Sequence, residues 1–173
     1  KDSLFGIEKE ALRISNKKIS SDPHPLKLGS SLMNQFITTD FSEAQLELIT
    51  PPKKNAQSAL KFLDDIQHFV TRNIGDEVLW PFSMPINISS ENEVPIAQFG
   101  SSNLGLFKHL YRVGLSHRYG KKMQSISGIH FNFSFADEIW PILYDAKTKH
   151  ELLSCRSEAY FGMLRNLHRM NWL

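Results

Sequence analysis

A single cysteine, Cys155, stands in 173 residues. No disulfide can form within the chain, so a reducing compartment, the cytoplasm, is the expected location. Long apolar runs are also missing. None approaches the ~18 residues a membrane helix requires, and no membrane association is expected. Neither sign of charge dominates: 20 basic and 18 acidic residues leave a formal net charge of +2. That balance argues against a nucleic-acid partner. No phosphate loop of the GxxxxGK[ST] or GxGxxG type occurs; Gly100, Gly105 and Gly114 do not make one. Internal repeats and low-complexity tracts are absent. The chain opens on Lys1 and not on methionine, so the lack of a signal peptide excludes nothing.

What is present suits one globular domain spanning residues 1–173, with 41% hydrophobic and 22% charged residues. Residues 4–14 read as a strand and 15–34 as a polar loop. Residues 35–50 read as one strand that Pro51 and Pro52 end. A helix is predicted over 55–74, capped by Asn55, with Leu60, Leu63, Ile66, Phe69, Val70 and Ile74 as its apolar stripe. A second is predicted over 103–118, with Leu104, Phe107, Leu110, Tyr111 and Leu115 on one side, and a last over 150–170. Between them Ile129, Phe131, Phe133 and Phe135 alternate with Gly128, His130, Asn132 and Ser134, which reads as a strand with a core-facing aromatic side. The mixture predicts an α+β fold with a largely antiparallel sheet. Cys155 falls within a predicted helix with no partner nearby in sequence, which argues against a nucleophile.

The chemistry lies on the polar strand faces. Glu8 and Glu10 flank Lys9, so on a strand the two carboxylates point one way and the lysine the other. Glu43, Gln45 and Glu47 share a face of the next strand, and His130 and Asn132 a face of the last. Asp40 has the wrong parity for Glu47 and joins it only through a bend or bulge. Converging carboxylates with few cations would suit a hard divalent ion such as Mg²⁺ or Mn²⁺, and Mg²⁺ commonly brings phosphates with it. Taken singly, such residues are more often a solvent-facing glutamate pair and a hydrogen-bonded core histidine, and the arrangement over three strands is the better evidence. Spacing alone leaves both readings standing.

The blocks GIEKEALRI, ITTDFSEAQLELITP, GDEVLWPFSMP, FGSSNLGLFKHLYRVGL and YGKKMQSISGIHFNFS resemble, in order and spacing, the amino-terminal part of bacterial glutamate–cysteine ligases of the proteobacterial type. The resemblance implies a glutamine synthetase-like fold, a curved and largely antiparallel sheet with flanking helices. It implies ATP-dependent ligation of glutamate to cysteine through γ-glutamyl phosphate, the first step of glutathione synthesis. Mg²⁺ or Mn²⁺ would be the cofactor, and glutamate, cysteine and ATP the small-molecule partners. Glu8, Glu10, Asp40, Glu47 and His130 would lie at the metal cluster. Phe41, Tyr111, Leu115 and Gln124 would belong to the cysteine side, Ile126 and Asn132 would lie near the substrate amino acids, and Arg112 would face a substrate carboxylate. Family members are much longer, so the remainder of the same polypeptide would complete the site, and this stretch alone is expected to be inactive. A different acceptor amine on the same fold, or a non-catalytic module that retains it, are the competing readings.

Overall fold

The computed structural model describes residues 3–172, which form two compact units. One holds residues 5–133, and the other holds residues 134–172 with the described residues before 5.

The first unit is organised around β1 (Leu4–Ser15), the long strand. A tight turn follows, with Asn16 and Lys17 both at positive φ (50° and 63°), and β2 (Lys18–Ile19) pairs back on β1. Two left-handed residues in succession match the twist a two-residue hairpin requires. The polar run 15–34 therefore opens with a hairpin that its composition concealed. It also holds a short 3-10 turn, Leu26–Leu28.

Residues 35–50 are not one strand. They form β3 (Ile37–Thr39) and β4 (Gln45–Ile49), antiparallel, with Ile37 opposite Leu48 and Thr39 opposite Leu46. The connection is closed by Asp40 N–H donating to the Gln45 carbonyl at 2.9 Å and Gln45 N–H to the Ser42 carbonyl at 2.8 Å. Phe41 leaves the alternation to enter a core with Ile88 and Val94. Burying an aromatic ring outweighs continuing the strand. Glu43 thus sits in the connection, its carboxylate buried and accepting from His24 N–H (2.8 Å) and Gln98 N–H (2.6 Å).

β4 pairs with β1 in antiparallel register, Glu8 opposite Ile49, Glu10 opposite Glu47, Leu12 opposite Gln45. One face of this sheet carries Leu46, Leu48 and Ile37, which pack with Leu28, Val70 and Ile74. Val70 belongs to α1 (Ala56–Asn73), whose N-cap Asn55 accepts from Ser58 N–H. Leu63 and Ile66 join this core as expected, but Leu60 and Phe69 are exposed and Ala59 takes the inner position. Lys9 points to the α1 side and donates to Gln67 Oε1 at 2.6 Å. Farther along that side Arg13, fully buried, pairs with Glu77 at 2.6 Å and donates to the Asp22 and Glu43 carbonyls. The opposite face of β1 starts polar at Glu8 and Glu10 and turns apolar at Leu12 and Ile14, which pack with Ala44. β5 (Val78–Leu79) and β6 (Ile129–Ser134) also pair with β1.

α2 (Asn103–Tyr119), capped by Ser102, inverts its expected amphipathicity. Leu104, Phe107, Leu110 and Tyr111 are exposed. The helix docks through Gly105, whose own hydrogen leaves room for the Phe99 carbonyl; a Cβ there would sit 2.4 Å from that oxygen. His109 Nδ1 lies 2.8 Å from the Ala97 carbonyl, and Leu115 packs beside Phe41. α3 (Lys121–Gln124) then leads into β6. The aromatic side expected to be core is divided. Ile129 and Phe131 are exposed, while the rings of Phe131 and Phe133 stand 6.1 and 5.5 Å from Phe5. Among the described residues nothing covers Ile129.

The second unit contains α4 (Trp140–Leu143) and α5 (Lys149–Arg169), the latter started by a capping box between Thr148 and Glu151. Its centre is aromatic: Trp140 lies 5.8 Å from Phe135 and 5.3 Å from Tyr160, and Phe135 N–H donates to the Tyr160 hydroxyl. The α+β class with an antiparallel sheet and flanking helices is the one expected from the sequence.

Lys17→Gly should relieve the left-handed strain of the first hairpin and raise stability by about 0.5–1 kcal/mol, read as a higher urea midpoint. Gly105→Ala should cost about 1–3 kcal/mol by forcing α2 off the Phe99 carbonyl. An unchanged midpoint would show that α2 docks without that close approach.

Candidate functional site

Register alone brings the acidic residues together. Glu10 stands opposite Glu47 across the β1–β4 pair, Glu8 lies two residues away on the same face, and Thr38 stands opposite Glu47 on the other side. Continuing β3 by two residues puts Asp40 on the face of Thr38. The hairpin is therefore the bend that the parity of Asp40 required. β6 contributes the rest. His130 Nδ1 is 3.2 Å from Glu8 Oε2 and its Nε2 is 3.8 Å from Glu10 Oε1. Asn132 Nδ2 donates to Glu8 Oε1 at 2.9 Å, and Gly128 N–H to Glu10 Oε2 at 2.8 Å. Gly128 was missed from the sequence, although a glycine opening a strand signals a close approach. A Cβ there would meet His130 Nε2 at 3.4 Å.

This crowding shows in the proton affinities. Burial first, and then the neighbouring Asp40, Glu8 and Glu10, together push the Glu47 carboxyl up from 4.5 to about 7, with His130 opposing. Glu10 is raised chiefly by burial, against the relief of the Gly128 N–H. Asp40 is raised by burial and partly restored by Arg112. The His130 imidazole is raised by its hydrogen bond to Glu8. These groups form one electrostatic unit with excess negative charge.

The other expected site residues are scattered more widely. Asn132 joins the cluster. Phe41 turns away from Asp40 into the core, with Leu115 packed beside it. Tyr111 is exposed on the outward side of α2. Ile126 lines an apolar hollow of about 230 Å³ with Met84, Ile86 and Met123, and its carbonyl accepts from the buried Gln45 amide at 3.3 Å. Gln124 is half-buried at the end of α3. Arg112 directs its nitrogens at backbone carbonyls.

Glu8, Glu10, Asp40, Glu47 and His130 are the donors available to a cation. Among the described residues no three such side chains are arranged to hold a metal ion as they stand. The donor chemistry nevertheless fits one: oxygen-rich, partly buried, mutually repulsive and short of positive charge, the condition a hard divalent cation relieves.

A family model described as glutamate-cysteine ligase matches residues 1–173. A protein named glutamate–cysteine ligase from Vibrio vulnificus is 48% identical over 169 residues, which cover 97% of this chain and 32% of that protein. Those of the same name from Aliivibrio salmonicida and Pseudomonas putida are 46% and 45% identical, each matched by 100% of this chain over 33% of its own length. The chain thus spans about a third of the relatives it matches. Among solved structures, the glutamate–cysteine ligase of Francisella tularensis in complex with AMP superposes with a TM-score of 0.79 at 44% identity, over 82% of this chain and 29% of that one. A bifunctional glutathione synthetase from Pasteurella multocida superposes at 0.75 and 34% identity, over 85% of this chain and 19% of that one. The architecture is the glutamine synthetase-like α+β fold, with its sheet left open here.

Because the Glu47 carboxyl holds its proton more tightly when folded, its contribution to stability is complete below pH 4.5 and is lost as the pH rises through about 7. Glu47→Gln removes that loss. In the protein extended to the relatives' length, without added divalent cation, its Tm should exceed the parent's at pH 8 by about 2–4 °C and match it at pH 4.5. Equal Tm values at both pH values in calorimetry would count against the crowding.

Proposed function

The chain belongs to the glutamate–cysteine ligase family, and we propose on that premise that it forms the carboxylate-bearing part of an enzyme that joins the γ-carboxylate of L-glutamate to the amine of L-cysteine, driven by ATP. This is the first step of glutathione biosynthesis, and the cytoplasm is its setting. The observation that carries the reading is the single sheet face on which Glu8, Glu10, Asp40 and Glu47 meet His130 and Asn132. The AMP held by the Francisella tularensis relative supports a nucleotide as co-substrate.

In the reaction an oxygen of the glutamate γ-carboxylate attacks the γ-phosphorus of ATP, and the bond to ADP breaks. The cysteine amine then attacks the acyl carbon of γ-glutamyl phosphate, inorganic phosphate leaves and the amine gives up a proton. The reactants are anionic, so bringing them together is the main electrostatic obstacle. Mg²⁺, or Mn²⁺ in its place, supplies the neutralising charge when bound. This chain's residues prepare for it. Glu8 is oriented by Asn132 Nδ2 and Glu10 by the Gly128 N–H, which fixes their oxygens before any ligand arrives. Glu47, with a pKa near 7, gives up its proton at little cost once positive charge is beside it. Glu8, Glu10, Asp40, Glu47 and His130 would hold the ion. Asn132 and Ile126 would lie near the amino-acid substrates, with Phe41, Tyr111, Leu115 and Gln124 toward cysteine. The rest of a full-length polypeptide would supply the remaining groups, which accords with the exposed Ile129 and Phe131 of β6 and the outward apolar side of α2.

ADP release should be measured with glutamate and Mg²⁺, with and without cysteine, on this chain and on the protein extended to the relatives' length. Only the longer protein should turn over, and only with cysteine. Glu8→Gln and Glu47→Gln should each lower its kcat/KM by on the order of 10²-fold with the far-UV circular dichroism unchanged. Full activity of both variants at saturating Mg²⁺ would overturn the assignment of this face. Turnover with another amine in place of cysteine would move the acceptor and leave the face.

A further inference from the structure

We propose that Arg112 is a positioning residue for this carboxylate face: it holds the turn that presents Asp40 and does not bind a substrate carboxylate. The family resemblance implies an Arg112 that faces a substrate carboxylate. In the fold its nitrogens are engaged elsewhere. Nε donates to the carbonyl of Asp40 itself, Nη2 reaches the Thr39 carbonyl at 3.5 Å, and Nη1 donates to the Lys108 carbonyl at 3.0 Å. The guanidinium also lies 4.6 Å from the centre of the buried Phe99 ring. A planar fork held by carbonyls of two elements and packed on an aromatic ring is preorganised. Swinging it toward a ligand would strand those carbonyls.

What the fork grips decides its role. Asp40 is where β3 leaves the sheet. Its N–H is tied to β4 through the Gln45 carbonyl at 2.9 Å, and its carbonyl is tied to α2 through Arg112. With both peptide groups of Asp40 held, the direction of its side chain is set, and that direction places it on the face of Glu47. The charge works to the same end, since Arg112 attracts the Asp40 and Glu47 carboxylates and partly offsets their repulsion. Phe99 completes the seat. Its carbonyl is the group against which Gly105 lets α2 approach, so the helix carrying Arg112 and the ring beneath the guanidinium come from one docking contact.

The kinetic part of the test rests on the ligase reading, and the exchange part does not. Arg112→Lys keeps the charge and loses the fork; Arg112→Met loses both. In the protein extended to the relatives' length, amide hydrogen exchange in the segment 37–47 should accelerate about tenfold or more in both variants, with α1 unchanged. The kcat should fall by about 10–100-fold while KM for glutamate and for cysteine stays within about twofold. A KM raised about tenfold or more for one amino acid, with exchange unchanged, would make Arg112 a substrate ligand and overturn the proposal. So would full restoration of exchange and kcat by lysine, which would reduce the role to charge. If α1 exchange also rises, the variant has lost stability as a whole, and Phe99→Leu decides: it leaves the guanidinium and removes its seat. Faster exchange over 37–47 with KM unchanged supports the proposal, and unchanged exchange there overturns it. A parent protein without turnover would refute the ligase reading and leave the exchange result to decide the role of Arg112.

Discussion

Two glutamates face each other across the central strand pair, Glu10 on β1 and Glu47 on β4, with Glu8 and Asp40 beside them. Like charges directly opposite on a sheet are unfavourable, and burial makes them more so. Much of the surrounding structure answers that repulsion. A backbone N–H from Gly128 meets Glu10, an amide from Asn132 and an imidazole from His130 meet Glu8, and the guanidinium of Arg112 attracts Asp40. The opposite side of the sheet does the stabilising, through the aliphatic cluster of β3, β4 and α1. One layer thus divides its labour, with apolar burial on one face holding electrostatic stress on the other. Perturbed carboxylates of this kind gather where a bound cation can relieve them.

Legibility followed period. The strict alternations of residues 4–14 and 128–134 were readable, and with them Glu8, Glu10, His130 and Asn132. The limits of the three expected helices came within about a residue, the first of them marked by its cap Asn55. The β3–β4 hairpin was not readable. Its turn lacks glycine and proline, and the polar positions 43, 45 and 47 keep a period of two straight through it. Glu43 consequently looked like a partner of Glu47, when it is a buried acceptor for two loop amides. The parity objection to Asp40 came from the same misreading and disappears with the hairpin.

Helix α2 failed for a different reason. Its large apolar residues mark a real face, but that face is outward, while glycine, histidine and arginine make the inward contacts. An amphipathic pattern shows that a helix has two sides without saying which one another part of the protein covers. The same holds for Ile129 and Phe131 on β6. The chain spans about a third of its relatives' length, and an apolar face in solvent is a surface that another part of a protein can cover.

The hairpin also constrains how this segment can change over time. Side chains on a strand alternate, so adding or deleting one residue between Thr38 and Asp40 would turn Asp40 from the carboxylate face toward α1. A change of two residues would restore the face but move Asp40 away from the carbonyl grip of α2. The connection from β3 to β4 is therefore a buried one, with Phe41, Ser42, Glu43 and Ala44 all out of solvent, and its length is fixed by the pleat as well as by packing. Neither a new side chain nor an extra residue finds there the latitude usual in exposed loops.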